Sequence, residues 1–163
     1  ENGGQGKVAL NLLWYFAAKH TELDNYNKRN KKGFLITIGD AAECRNDYFM
    51  KQSHDKCFGQ PAPYENVEEI LVDAKKKFEI FHIFLDEDGK KANSIVQLLP
   101  GHTMSMRPGE IATLPEILIS TIQLTSGMDI ADVIKQWPDL KQPLIERTLK
   151  DLTISTPQKG LNF

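Results

Sequence analysis

A chain of 163 residues, 40% hydrophobic and 26% charged, has the composition of an ordinary globular protein and the length of about one domain. Lysine and arginine number 20 against 22 aspartates and glutamates, and the net charge of −2 exerts no global pull toward nucleic acid or an anionic membrane. The longest apolar stretch, Val8 to Ala18 interrupted by Asn11, falls short of the roughly 20 residues that cross a bilayer, which excludes a membrane span of that kind.

Residues 1–6, Glu-Asn-Gly-Gly-Gln-Gly, read as a loop, and the run from Val8 to Ala18 as a helix apolar nearly all round, hence buried on most sides. Asp24 to Lys32 is polar and basic, a solvated connection. Gly33-Phe34-Leu35-Ile36-Thr37-Ile38-Gly39-Asp40 is a short apolar run bounded by glycines, which predicts a strand covered on both faces. Ala41 to Pro63 has a mixed pattern and gives no assignment. Val67, Ile70, Leu71, Ala74 and Phe78 recur at helical spacing, predicting an amphipathic helix from about Tyr64. Its last turn carries Lys75, Lys76 and Lys77, where cations suit the helix dipole. Ile80 to Leu85 is a second apolar strand, closed by Asp86-Glu87-Asp88-Gly89. Two doubly covered strands imply a parallel pair joined by a crossover helix.

Lys90 to Leu99 follows as a helix stopped by Pro100-Gly101, and His102 to Met106 as a third strand whose edge position would account for its polarity. Pro115 suits the first turn of a helix through Leu124 that Ser126-Gly127 ends. Asp129 can cap a helix to Trp137, and Leu144 to Leu152 forms the last one. The order predicts an α/β, three-layer, Rossmann-like fold with a mainly parallel sheet flanked by helices. Residues 1–152 make a single domain in this reading, and 153–163 a loose tail.

In an open parallel sheet, ligands bind beyond the carboxyl ends of the strands. Asp40 follows the first strand and Asp86, Glu87 and Asp88 follow the second, so parallel strands bring these carboxylates to one end. Mg²⁺, a hard cation, prefers such oxygen ligands. The plainer alternative makes Asp40 the cap of a following helix and Asp86 to Gly89 a tight turn.

Gly3-Gly4-Gln5-Gly6-Lys7-Val8-Ala9-Leu10 precedes the buried helix; then come the strand ending in Ile38-Gly39-Asp40, the strand Ile80 to Leu85, and Leu114-Pro115-Glu116-Ile117-Leu118 opening a late helix. Over residues 3 to about 125 this succession resembles the carboxyl-terminal half of a von Willebrand factor A (integrin I-like) domain. The resemblance implies a non-catalytic protein-binding or scaffold module with a Mg²⁺-dependent adhesion site at the strand carboxyl edge. Asp40 matches the aspartate that follows the family's fourth strand, and it is the metal-ligand candidate. Gln5, beside Gly4, stands where the family has a loop threonine, and the Asp-x-Ser-x-Ser loop has no counterpart, so the implied site is degenerate. Gly4, Gln5, Asp86 and Asp88 are the ligand-edge candidates. An apolar edge at Phe34 to Ile38 would need covering by an upstream segment, a second copy of the chain, or a different polypeptide.

Phe81 to Lys90 is also similar to the Asp-x-Asp-Gly-Thr signature of haloacid-dehalogenase-type phosphatases. That likeness implies a magnesium-dependent phosphohydrolase with Asp86 as nucleophile and Asp88 as general acid. Lys90 replaces the threonine, however, and no Gly-Asp-x-x-x-Asp pair follows. Gly4-Gln5-Gly6-Lys7 is similar to the end of a phosphate-binding loop, but Glu1 occupies the first glycine position and Val8 lacks the hydroxyl. Cys44, His54 and Cys57, with Asp47 or Asp55, could supply zinc ligands, at a spacing that matches no paired zinc pattern. Two cysteines are too few for a disulfide scaffold, and no charged-then-apolar leader precedes the first helix, so the expected location is cytoplasmic. His20 at a helix end suits the dipole, and His82 within an apolar strand is expected to be a hydrogen-bonded core residue. Lys28-Arg29-Asn30-Lys31-Lys32 lacks interleaved aromatics and reads as a solvated loop. A protein partner is therefore expected, with neither nucleic acid nor membrane.

Overall fold

In a computed structural model, residues 7–8, 10–40, 42–43, 47–88 and 93–153 are described, with side chains for 10–40, 51–88 and 93–153. In chain order the elements are β1 (Lys7–Val8), α1 (Leu10–His20), α2 (Asp24–Arg29), β2 (Gly33–Gly39), β3 (Ala42–Glu43), α3 (Asp47–Phe58), α4 (Val67–Lys77) and β4 (Phe78–Leu85). After these come α5 (Asn93–Leu98), β5 (Thr103–Met106), a 3-10 turn at Pro108–Thr113, α6 (Leu114–Thr125), α7 (Ile130–Lys135) and α8 (Gln142–Leu149). The chain is α/β, built on a three-stranded parallel sheet in the order β2-β4-β5. The two-residue strands β1 and β3 make a separate parallel pair.

Side-chain alternation along the central strand divides the core in two. Phe78, Ile80 and Phe84 pack with Leu10, Trp14, Ile70, Leu71 and Ile95 of α1, α4 and α5 on one face of the sheet. Phe81 and Ile83 pack with Met104, Met106, Ile117, Ile145 and Leu149 on the other, beneath α6 and α8. Helices thus cover both faces, and β4 reads as a continuous apolar run because neither side of it meets water.

Register from Gly33↔Phe78 to Gly39↔Phe84 bears out the parallel pairing of the first two strands, with α4 as the intervening helix. The first strand is less covered than expected. Among the described residues β2 is an edge strand, half-buried over most of its length, and Ile38 is 40% exposed. Helix α1 departs from expectation in the same way, since Leu13 and Phe16 stand 54% and 51% exposed while Trp14 and Tyr15 are buried. One face of this helix meets α4 and the sheet, and the apolar composition continues past the surface that these can cover.

Boundaries moved where one signal outweighed another. Asn66 caps α4 through its side-chain oxygen, which accepts the Glu69 N–H at 2.9 Å, so the helix starts later than Tyr64. Phe78, which keeps the helical spacing, instead opens β4 opposite Gly33. The basic connection contains α2, held by a Lys28–Asp24 pair at 2.8 Å and ended by Asn30 in the left-handed region. β5 is buried at Thr103, Met104 and Met106, because α8 and α6 lie over this edge of the sheet. Gly101 has φ +72°, and a Cβ there would meet the Thr153 side chain at 2.8 Å, so only glycine fits where α5 gives way to β5. Asp129 caps α7 as expected, its Oδ1 accepting the Ala131 N–H at 2.8 Å. The tail beyond Thr153 lies outside the described residues. No helix among the described residues is long and apolar enough to cross a membrane.

Candidate functional site at the carboxyl end of the sheet

Because the strands are parallel, the residues that follow them share one end of the sheet. Asp40 follows β2 and is exposed, Asp86 to Asp88 follow β4, and Arg107 follows β5. Asp40 lies in a bend that leads into β3, so it caps no helix. Acidic residues therefore stand at the ends of β2 and β4, and a basic one at the end of β5.

The turn after β4 is fixed from two directions. The Asp86 N–H donates to the Met106 carbonyl at 3.1 Å, a last rung of the β4–β5 ladder. The Asp86 Oδ1 in turn accepts the Asp88 N–H at 2.9 Å. This is the side-chain-to-backbone turn that aspartate favours. It places Asp88 on the wall of a cleft of about 200 Å³, also lined by Ser105, Met106, Arg107, Arg147 and Lys150. Ser105 and Met106 come from β5, Arg147 from α8, and Lys150 from the residue that ends that helix.

Glu110 organises the basic wall. Its Oε2 accepts from the Arg147 guanidinium at 2.6 Å and from the Arg107 backbone N–H at 3.0 Å. The Arg147 hydrogen bond, assisted by that backbone donor and opposed by partial desolvation, holds the Glu110 carboxyl below the usual range. Glu110 thus stays ionised and keeps Arg147 against the cleft. Sequence reasoning missed this group. Its only local signal is a basic residue after a short strand, and Arg147 and Lys150 lie some 40 residues further on.

The remaining candidates are dispersed. Gly4, Gln5 and Cys44 lie outside the described residues. Cys57 is exposed, while His54 is buried with Nδ1 against the Gln60 carbonyl at 2.9 Å and its ring beside Tyr15 and Phe58. Among the described residues no three His, Cys, Asp or Glu side chains gather as a metal-ligand group. Asp40 brings one carboxylate to the implied Mg²⁺ position, and one carboxylate does not hold the ion, so the described residues by themselves do not fit it. His20 ends α1, stacked on Phe58 with ring centroids 5.3 Å apart. In the basic stretch, Lys32 pairs with Glu79 at 3.1 Å.

His82 is the buried polar residue nearest this end of the central strand. The Thr37 hydroxyl lies 3.2 Å from the Phe81 carbonyl and 2.8 Å from His82 Nδ1, so this nitrogen is engaged in either tautomer of the ring. Nε2 has no hydrogen-bond partner among the described residues, and burial pushes the imidazole pKa down to about 4. The expected core histidine is therefore present, tied through only one of its two nitrogens. No family model matches this chain, and no curated protein or solved structure matches it either.

Proposed function

We propose that the chain is a protein-binding or scaffold module of von Willebrand factor A type, acting by docking and not by catalysis. Its contact surface is the open edge of β2 with the adjoining carboxyl rim at Asp40. One observation carries this reading: among the described residues β2 has a strand neighbour on one side only, and Ile38 near its end is exposed. Such an edge offers a row of backbone N–H and C=O groups to another strand. Edge-pairing partners bind in this way, with alternate side chains supplying specificity. Helices on both faces of a parallel sheet, with an aspartate directly after β2, support the family assignment.

A second copy of the chain is the partner to test first, by light scattering and amide hydrogen exchange along residues 33–39 at rising protein concentration. Mass that grows together with protection at alternate β2 amides, both lost in Ile38→Lys, is the expected result. A monomer at every concentration, with β2 amides exchanging freely, removes self-pairing. Turnover of a generic phosphate ester that disappears in Asp86→Asn would replace docking with the phosphohydrolase reading.

A further inference from the structure

We propose that the cleft at the carboxyl end of β5 is a receptor for a tetrahedral oxyanion, phosphate or sulfate, either free or as the terminal group of a larger ligand. This inference does not rest on the docking function. The cleft lies where open parallel sheets receive ligands. Three cationic residues line it, Arg107 just after β5, Arg147 on α8 and Lys150 at the end of that helix, together with Ser105 of β5. Arg147 is committed in part to Glu110, whereas Arg107 and Lys150 form no ion pair among the described residues. Two carboxylates, Asp88 and Glu110, stand against three cations, so the cleft keeps an excess of positive charge.

The size limits what enters. About 200 Å³ is below the roughly 300–1,000 Å³ of pockets that take whole organic ligands, and suits a single charged group. A carboxylate has two oxygens in one plane, while donors arriving from β5 and from α8 suit an anion with acceptors in several directions. Planar guanidinium groups match such oxygens in pairs. The Glu110 pair sets the orientation of Arg147 before any ligand arrives. Asp88 opposes the anion, which gives the proposal a sign-reversed control.

The test is nuclear magnetic resonance titration of the full chain with sodium phosphate, against sodium chloride and sodium acetate at matched ionic strength. Saturable shifts at the amides of Ser105, Arg107 and Lys150 are expected with phosphate and not with chloride or acetate. The double variant Arg107→Gln, Lys150→Gln should weaken binding about ten-fold or more, and Asp88→Asn should tighten it. Both keep the core residues, so unchanged melting temperatures confirm that the fold survives. Methyl phosphate separates the sources: affinity equal to that of phosphate means that the cleft takes the end group of a larger ligand, and its failure beside binding of inorganic phosphate means the free ion. Shifts that never saturate, that chloride or acetate reproduces, or that the double variant leaves unchanged overturn the proposal.

Discussion

His82 is where residue chemistry has the widest consequence. Nδ1 is engaged with Thr37, and the imidazolium, which carries a proton on both nitrogens, would leave the Nε2 N–H in the core with no acceptor among the described residues. The native imidazole titrates at about 4, against an ordinary value of 6.5 in the unfolded chain. Between those values the unfolded chain binds a proton that the folded chain refuses. Stability is therefore complete above pH 6.5 and falls as the pH drops through that interval, by up to about 3 kcal/mol. Urea unfolding midpoints followed from pH 7 to 4.5 should decline in the wild type and stay nearly level in His82→Gln, which retains a polar partner for Thr37. A parallel decline in both proteins would assign the effect elsewhere. Below that range carboxylates add to the loss in both. Asp73 is held low by hydrogen bonds from Lys19, Lys76 and Tyr64, Glu110 by Arg147, and Glu116 by Lys141.

Ile38 and Ile83 stand opposite each other in register, the same residue type on adjacent strands, yet Ile38 is 40% exposed and Ile83 is fully buried. The difference belongs to the elements, because β4 has a strand on each side and helices above and below, and β2 lacks one lateral neighbour among the described residues. Ile83→Ala should cost about 2–5 kcal/mol, the range for opening a cavity in a packed core. Ile38→Ala should cost about 1 kcal/mol or less, since half-exposed apolar area contributes little. Equal losses in denaturant midpoint would mean that β2 is covered in solution, and an association sensitive to Ile38 would then supply the cover. The helix on the other side of this strand is anchored separately. Lys77 Nζ donates to the carbonyls of Ala18 and Thr21 at 2.7 and 3.2 Å, so the last turn of α4 closes the end of α1. The lysines that the sequence placed for the dipole include one with this specific partner.

For the molecule as a whole, the strands were legible because residues 34–38 and 80–85 are apolar at consecutive positions, a pattern that covered strands produce. β5 lies at an edge as its polarity suggested, but how far an edge strand is covered is not written in its own residues, so β2 read as covered on both faces and the burial of β5 beneath α6 and α8 went unread. α2 was illegible for a local reason, being polar on every side and stabilised by a surface pair and a left-handed Asn30. Asp40 and Asp86 could be placed at one end from the parallel pairing alone. The basic cleft could not, since it depends on α8 folding back over β5. That return also completes the core, because Ile145 and Leu149 of α8 close over Met104, Met106 and Ile117. A chain ending at Gly127 would lose α7 and α8 and leave that face of the sheet covered by α6 alone. It is expected to lose its near-ultraviolet circular dichroism and cooperative melting and to bind a hydrophobic dye, keeping much of its far-ultraviolet signal. Arg147→Gln, which alters the cleft and leaves Ile145 and Leu149 in place, should melt within a few degrees of the wild type. Cooperative melting of the shortened chain would show that α1, α4 and α5 on one face and α6 on the other hold the sheet without α7 and α8. α8 would then be an accessory of the cleft and no part of what folds the protein.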